Sequence, residues 1–162
     1  MPLLTPLCLA VVLFLSSCSA PETGSRWEET PTQPATTVSS DEILPGSQFN
    51  QFFPPDGNGY ERVYSQEKSG FAEAKLKQNG TDLAMLAVSD TAANPPAVTK
   101  YESSNRTIAG YPAVVLGDTA SSILVGDRIQ VKVLSRDSSF TATDREAWIQ
   151  KFDLAGLERL VK

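Results

Sequence analysis

The side chains that could do chemistry in this sequence are mainly carboxylates. The 162 residues include no histidine, which excludes Ser-His-Asp and Cys-His catalysis and any His-ligated zinc site. Four acidic residues near the C-terminus could act as general acids and bases: Asp127, Asp137, Asp144 and Glu146. Their spacing gives no sign that any two of them converge, so the sequence does not favour an enzyme.

A calcium loop is the second candidate, because Asp56-Gly57-Asn58-Gly59-Tyr60-Glu61 resembles the start of an EF-hand loop and Glu67 falls at its twelfth position. The loop needs a side-chain oxygen where Tyr60 lies and a sharply turning glycine where Glu61 lies. The residues after Glu67 also predict a strand and not the required helix. We therefore interpret the segment as a glycine-rich turn and expect no metal site and no cofactor.

The N-terminal residues give a more specific signal. Leu7 to Leu15 is an apolar run, and it is shorter than the about 20 residues that a membrane-spanning helix needs. It ends in Leu15-Ser16-Ser17-Cys18, which resembles the lipobox of bacterial lipoproteins. The resemblance implies that residues 1–17 are a signal peptide and that the thiol of Cys18 carries a diacylglyceryl group, with acyl chains such as palmitate.

Lipidation at Cys18 implies a location outside the cytoplasm, on the periplasmic face of the plasma membrane or the outer membrane. Two or three acyl chains anchor a protein stably, whereas one chain binds only marginally. Ser19 resembles the residue found in lipoproteins directed to the outer membrane. The alternative is an ordinary secretory signal cleaved after Ala20, since Cys18 and Ala20 have the small-residue spacing of such a site. No Lys or Arg precedes Cys18.

Composition divides the rest of the chain into a tether and one domain. Residues 18–42 are rich in Ser, Thr, Pro and Glu and have no apolar periodicity, which predicts a disordered tether. Residues 43–162 are long enough for a single globular domain. Both cysteines precede that domain, so it has no disulfide of its own. The formal net charge of −5 argues against a nucleic-acid partner.

The domain begins with a pattern of short strands separated by Gly, Asn, Asp and Pro. Asn79-Gly80 predicts a type I′ hairpin turn, and apolar residues on both faces of the strand after it predict a central position in the sheet. The predicted strands are Tyr60 to Ser65, Phe71 to Lys77, Leu83 to Val88, Val98 to Ser103, Tyr111 to Leu116, Ser122 to Val125 and Arg128 to Leu134.

The C-terminal residues predict helices. Thr143 and Glu146 fit a capping box, and Asp153 is a candidate N-cap for a second short helix. Between them lies an apolar stripe of Trp148, Ile149 and Phe152. The sequence therefore predicts an α+β fold, with a mostly antiparallel sheet of five to seven strands and the C-terminal helices packed on one face.

Two sets of side chains are candidate binding surfaces. The first is an aromatic cluster of Phe49, Phe52 and Phe53. These rings either cap one end of the core or form an exposed binding surface. The second is a basic strip at alternating strand positions, formed by Lys75, Lys77, Arg128 and Lys132. Such a strip could meet anionic lipid headgroups or an acidic partner, although a solvated strand face has the same pattern.

These observations predict a lipid-anchored, non-catalytic binding or assembly module of the bacterial cell envelope. Its expected partners are the membrane, through the lipid on Cys18, and an envelope protein. Two alternatives stay open. One is a hydrolase or transferase that acts on envelope material through carboxylates, and the other is a carrier of a small apolar ligand in a cavity lined by the aromatic cluster.

Overall fold

The computed structural model describes residues 42–162. The predicted signal peptide, Cys18 and the tether up to residue 41 lie outside the described residues. None of the helices between residues 42 and 162 is long and apolar enough to cross a membrane.

The described residues form one seven-stranded antiparallel sheet. The first three strands are a meander of β1 (Tyr60–Lys68), β2 (Phe71–Gln78) and β3 (Thr81–Asp90). The second group is β4 (Thr107–Ile108), β5 (Tyr111–Leu116), β6 (Ala120–Val125) and β7 (Ile129–Ser135). Strand β3 pairs with β7, so the order across the sheet is β1-β2-β3-β7-β6-β5-β4.

The hairpin between β2 and β3 follows from its two turn residues. Asn79 and Gly80 adopt φ values of 50° and 80°, the left-handed conformation that a type I′ turn requires and that Asn and Gly tolerate best. In β3, Leu86 on one face and Ala87 on the other are both buried. The predicted hairpin and the central position of β3 are therefore confirmed.

The C-terminal helices cover one face of the sheet. The α-helices of the described residues are α1 (Thr99–Glu102), α2 (Ala142–Ile149) and α3 (Leu154–Arg159), and a 3-10 helix (Gly46–Phe52) precedes β1. Helix α2 contacts β6 and β7, and α3 contacts β6 and the 3-10 helix. The apolar stripe of α2 joins the main core, so the predicted α+β architecture is confirmed.

The capping box of α2 lies two residues before the predicted position. Thr141 is the N-cap: its amide donates to Asp144 Oδ2 at 2.8 Å, and its hydroxyl oxygen accepts from the Asp144 amide at 3.3 Å. Thr141 has an extended backbone and Ala142 begins the helix, so Thr143 is already inside the first turn. Glu146 forms an ion pair with Arg106 instead. The predicted cap at Asp153 is confirmed, with the Gly156 amide donating to Oδ1 at 2.8 Å.

The predicted strand from Val98 to Ser103 is wrong, because these residues form a 3-10 turn (Pro95–Val98) followed by α1. Pro95 begins the turn with a φ suited to helix. The Tyr101 ring is buried on the sheet face opposite α2. Its hydroxyl lies 2.7 Å from Ser122 Oγ and accepts from Gln130 Nε2 at 2.7 Å. The connection from β3 to β4 therefore covers part of the second face.

Both edges of the sheet are partly blocked. At the β1 edge, the Arg62 amide donates to Asp56 Oδ1 at 2.7 Å, and the pairing with β2 shifts register at Ser65. At the other edge, the two-residue strand β4 pairs with Tyr111 and Pro112. The Ala113 amide next to them donates to the Arg106 carbonyl at 2.9 Å. These contacts occupy part of the backbone hydrogen-bonding groups at each edge, while most residues of β1 stay exposed.

Candidate functional site

Arg145 is the only buried cation among residues 42–162, with 3% of its surface exposed. It lies on α2 three and four residues before Trp148 and Ile149, so it belongs to the inward-facing stripe of the helix. Charged side chains are rarely this buried unless they are paired with an opposite charge. The groups that contact Arg145 therefore decide whether its charge is neutralised within the protein.

The guanidinium of Arg145 is held by hydroxyl groups and not by a carboxylate. Its Nε donates to Ser121 Oγ at 3.1 Å and its Nη1 donates to Ser135 Oγ at 2.9 Å. Its Nη2 donates to no atom of the described residues. Salt bridges between residues 42 and 162 do not include Arg145. No carboxylate of the described residues thus lies within ion-pair distance of Arg145, although Asp144 is close enough for the guanidinium to add to the effect of Thr141 in lowering its pKa.

The serine hydroxyls are fixed by the strands and by the loop before α2. Ser121 is fully buried in β6, and Ser135 ends β7. Ser135 Oγ donates to the Phe140 carbonyl at 2.6 Å, and the Phe140 ring is buried in the core. This loop is therefore anchored at Phe140, and it holds Ser135 in place to accept from Arg145.

Arg145 lines a cleft of about 390 Å³. The cleft opens between the turn that joins β5 to β6 and the loop that joins β7 to α2. The side chains around Arg145 include hydroxyls, a second arginine and two aspartates: Asp118, Thr119, Ser135, Arg136, Asp137 and Thr141. A volume of this size is within the usual range for small-ligand sites.

Two carboxylates beside the cleft are held ionised by local hydrogen bonds. Ser139 donates through its hydroxyl and its amide to Asp137 Oδ1 at 2.6 and 2.8 Å, and these bonds lower the pKa of Asp137. Hydrogen bonds from Thr141 lower the pKa of Asp144, with a smaller Coulombic contribution from Arg145. Asp144 is committed to the helix cap, and it forms no ion pair with Arg145.

The four acidic residues singled out in the sequence do not form a catalytic pair. Asp127 lies in the turn before β7 with a φ of 58°, and Glu146 pairs with Arg106. Asp137 and Asp144 accept hydrogen bonds from Ser139 and Thr141. Among the described carboxyl groups, every resolved pKa shift is downward: Asp82, Asp90, Asp137, Asp144 and Glu158. A general acid needs a raised pKa.

The segment that resembles a calcium loop forms a turn. The Gly57 amide donates to the Tyr60 carbonyl at 3.1 Å, and the Tyr60 amide donates to the Gly57 carbonyl at 3.0 Å. Asp56 is used by the Arg62 amide, and Glu67 accepts from Asn50 Nδ2 at 2.6 Å. Between residues 42 and 162, no three acidic or cysteine side chains are grouped so that they could hold a metal ion.

The aromatic cluster lies in the core. Phe49, Phe52 and Phe53 are 0%, 8% and 4% exposed. The 3-10 helix that carries the first two contacts β2 and α3, and the Phe53 ring centroid lies 5.1 Å from that of Phe152. The three rings therefore cap the core, and they expose no aromatic surface that could bind a partner.

The expected basic strip is only partly paired with acidic residues. Lys75 and Lys77 both pair with Asp82, and they lower its pKa to about 2. Arg128 precedes β7 and donates through Nε and Nη2 to Asp90 at 2.8 and 2.7 Å. Lys75 and Lys77 thus share a single carboxylate, and Arg128 is paired with Asp90. Lys132 forms no ion pair among the described residues, and its charge adds to the effect of burial in lowering the pKa of Lys100.

Sequence reasoning missed Arg145, which it placed only within the predicted capping motif. A signal was present, because residues 145, 148, 149 and 152 have the spacing of one helix face and the first of them is charged. The serine partners gave no such signal, since both lie in other strands.

The chain matches no protein-family model, and no curated protein or solved structure matches it either.

Proposed function

We propose that the chain is a lipid-anchored, non-catalytic binding module of the bacterial cell envelope. The resemblance of Leu15-Ser16-Ser17-Cys18 to a lipobox supports the anchor and an extracytoplasmic location. The observation that carries the binding function is the cleft beside α2, where the buried charge of Arg145 has no acidic partner among the described residues. A partner supplied from outside would provide the missing negative charge.

Two further observations favour binding over the alternatives. A carboxylate-based hydrolase needs one carboxyl with a raised pKa, whereas the resolved shifts in the described domain are all downward. A carrier of an apolar ligand needs a cavity lined by the aromatic cluster, but those rings pack against the core. Neither alternative has a residue set that favours it.

The anchor is tested by replacing Cys18 with Ala, with Cys8→Ala as the matched control. Wild type and Cys8→Ala should be found in the membrane fraction and should incorporate labelled palmitate. Cys18→Ala should be released and unlabelled. A Cys18→Ala chain that stays with the membrane would contradict the anchor, and so would a mature N-terminus at Pro21, which is the product of secretory cleavage after Ala20.

The binding function is tested by site-specific photo-crosslinking in intact cells. A photo-reactive residue at Ala142, which lines the cleft, should give a defined adduct by intact mass. The same residue at Arg159, which is exposed on α3, should not give that adduct. No adduct at residue 142, or identical adducts at both positions, would show that the cleft is not a binding site.

A further inference from the structure

We propose that the cleft beside α2 binds a ligand through a singly charged carboxylate group, with Arg145 as the anion-binding residue. This inference rests on the proposed binding function, because it names the chemical class of the ligand. It does not rest on the lipid anchor.

Arg145 has N–H donors that the described residues do not use. A guanidinium has N–H groups on three nitrogens, and the described residues use only Nε and Nη1. Arg145 is 3% exposed, and its Nη2 is not among the fully buried atoms that lack a hydrogen-bond partner, so Nη2 is accessible from the cleft that Arg145 lines. Hydrogen bonds between a buried cation and an anion are short and strong because little water competes with them.

The guanidinium of Arg145 is held in position before a ligand binds. Ser121 and Ser135 hold the guanidinium at two of its nitrogens, and Ser135 is itself fixed by its bond to the Phe140 carbonyl. The two hydroxyls orient the charge but do not neutralise it. A ligand therefore meets a guanidinium that is already positioned, which reduces the entropy lost on binding.

The charges around the cleft select the kind of anion. Asp118 and Asp137 line it together with Arg136 and Arg145, and Asp137 has a lowered pKa. Asp144 is also ionised nearby, at the start of α2. These three aspartates outnumber the two arginines, so the groups carry a net negative charge, and a phosphate dianion meets about twice the net repulsion that a carboxylate meets. The planar carboxylate also matches the planar guanidinium fork.

The binding experiment uses the full Cys18→Ala chain, which carries no lipid under the proposed anchor. The probes are sodium isobutyrate, isobutyramide and inorganic phosphate at slightly alkaline pH, where phosphate is mainly a dianion. Binding is followed by the backbone amide shifts of Ser121, Ser135 and Ala142. Isobutyrate should bind at least about tenfold more tightly than either isobutyramide or phosphate.

A second pair of probes identifies the source of the carboxylate. N-acetyl-alanyl-valine, with a free terminal carboxylate, is compared with its terminal amide. The free dipeptide binding more tightly than isobutyrate indicates a peptide carboxyl terminus. The reverse order indicates a small organic acid. In both cases the amide should bind at least about tenfold more weakly than the acid.

Two matched pairs of variants locate the site. Ala142→Glu places a competing carboxylate at the cleft and should abolish isobutyrate binding, whereas Ala142→Gln should retain it. Ala142 is exposed, so neither change disturbs the core. Arg145→Gln should also abolish binding, and Arg159→Gln, which removes the same charge from an exposed position, should not. Thermal melting checks the fold of each chain. If Arg145→Gln does not fold, the comparison of Ala142→Glu with Ala142→Gln decides the outcome.

Three results would overturn the inference: equal binding of acid and amide, tighter binding of phosphate, or equal binding by Ala142→Glu and Ala142→Gln. The outcomes for the anchor are separate. A membrane-bound chain that binds no carboxylate overturns this inference alone. A chain that binds isobutyrate although its native form is not membrane-bound overturns the anchor alone.

Discussion

Replacing Asp90 with Asn should lower the free energy of unfolding by about 2–3 kcal/mol. Asp90 is 2% exposed and accepts four hydrogen bonds: two from Arg128 at 2.8 and 2.7 Å, one from the Leu44 amide at 3.0 Å and one from the Ala92 amide at 2.9 Å. Removing one member of a buried ion pair typically costs about 3–5 kcal/mol. The expected value is lower because Asn keeps one acceptor oxygen and because Arg128 is 34% exposed.

The measurement is urea unfolding of wild type and Asp90→Asn, with thermal melting in parallel. A loss of this size should lower Tm by roughly 10 °C for a domain of this length. Asp82→Asn is the control, since Asp82 pairs with two cations, Lys75 and Lys77, but is a third exposed. Exposed pairs contribute little to stability, so the control should change the urea midpoint much less. Equal shifts for the two variants would refute the reasoning.

The difference in the free energy of unfolding between wild type and Asp90→Asn should depend on pH. Burial alone would raise the pKa of Asp90, but the hydrogen bonds from Arg128 and from the amides of Leu44 and Ala92 together lower it. The folded pKa thus lies below the unfolded value of about 3.9. Asp90 contributes stability above that value and loses it as the pH falls through the folded pKa. The gap between wild type and Asp90→Asn should be constant near neutrality and should close in acid.

Two further predictions concern the helices. Thr141→Ala should cost about 1 kcal/mol in urea unfolding, because it removes the N-cap of α2, whereas Thr143→Ala should be nearly neutral; the opposite order would place the cap at Thr143. Gly156→Ala should destabilise by about 1–3 kcal/mol, because a Cβ would lie 2.5 Å from the Phe52 ring and 2.4 Å from Asp153 Oδ2. An unchanged urea midpoint for Gly156→Ala would contradict the close packing of α3 against the 3-10 helix.

The parts of the fold that depend on neighbouring residues were predictable. The Asn79-Gly80 turn has its conformational preference in two adjacent side chains, and the cap at Asp153 acts on an amide only three residues away. The position of β3 could also be inferred, because apolar residues on both faces require cover on both faces. In these cases the local pattern and the final structure agree.

One error was local, because the capping box of α2 is formed by Thr141 and Asp144 and not by the predicted Thr143 and Glu146. The other errors arose where distant contacts decide the structure. Val98 to Ser103 has strand-like residues, but the burial of Tyr101 against Ser122 and Gln130 favours a helical turn. The pairing of Asp90 with Arg128 spans 38 residues, so it has no local pattern. Arg145 was the exception, because its place on an apolar helix face was visible in the sequence. Its serine partners on other strands were not.

The partly blocked edges of the sheet affect how copies of the protein could pair with one another at a membrane surface. A lipid anchor of the kind proposed confines copies of a protein to two dimensions, where they meet far more often than in free solution. Sheets with open edges would then be at risk of joining edge to edge. The Asp56 side chain and the register shift at Ser65 protect one edge, and β4 with the Arg106 carbonyl protects part of the other. Under the proposed anchor, these features would reduce the number of backbone groups at each edge that could pair with a second copy.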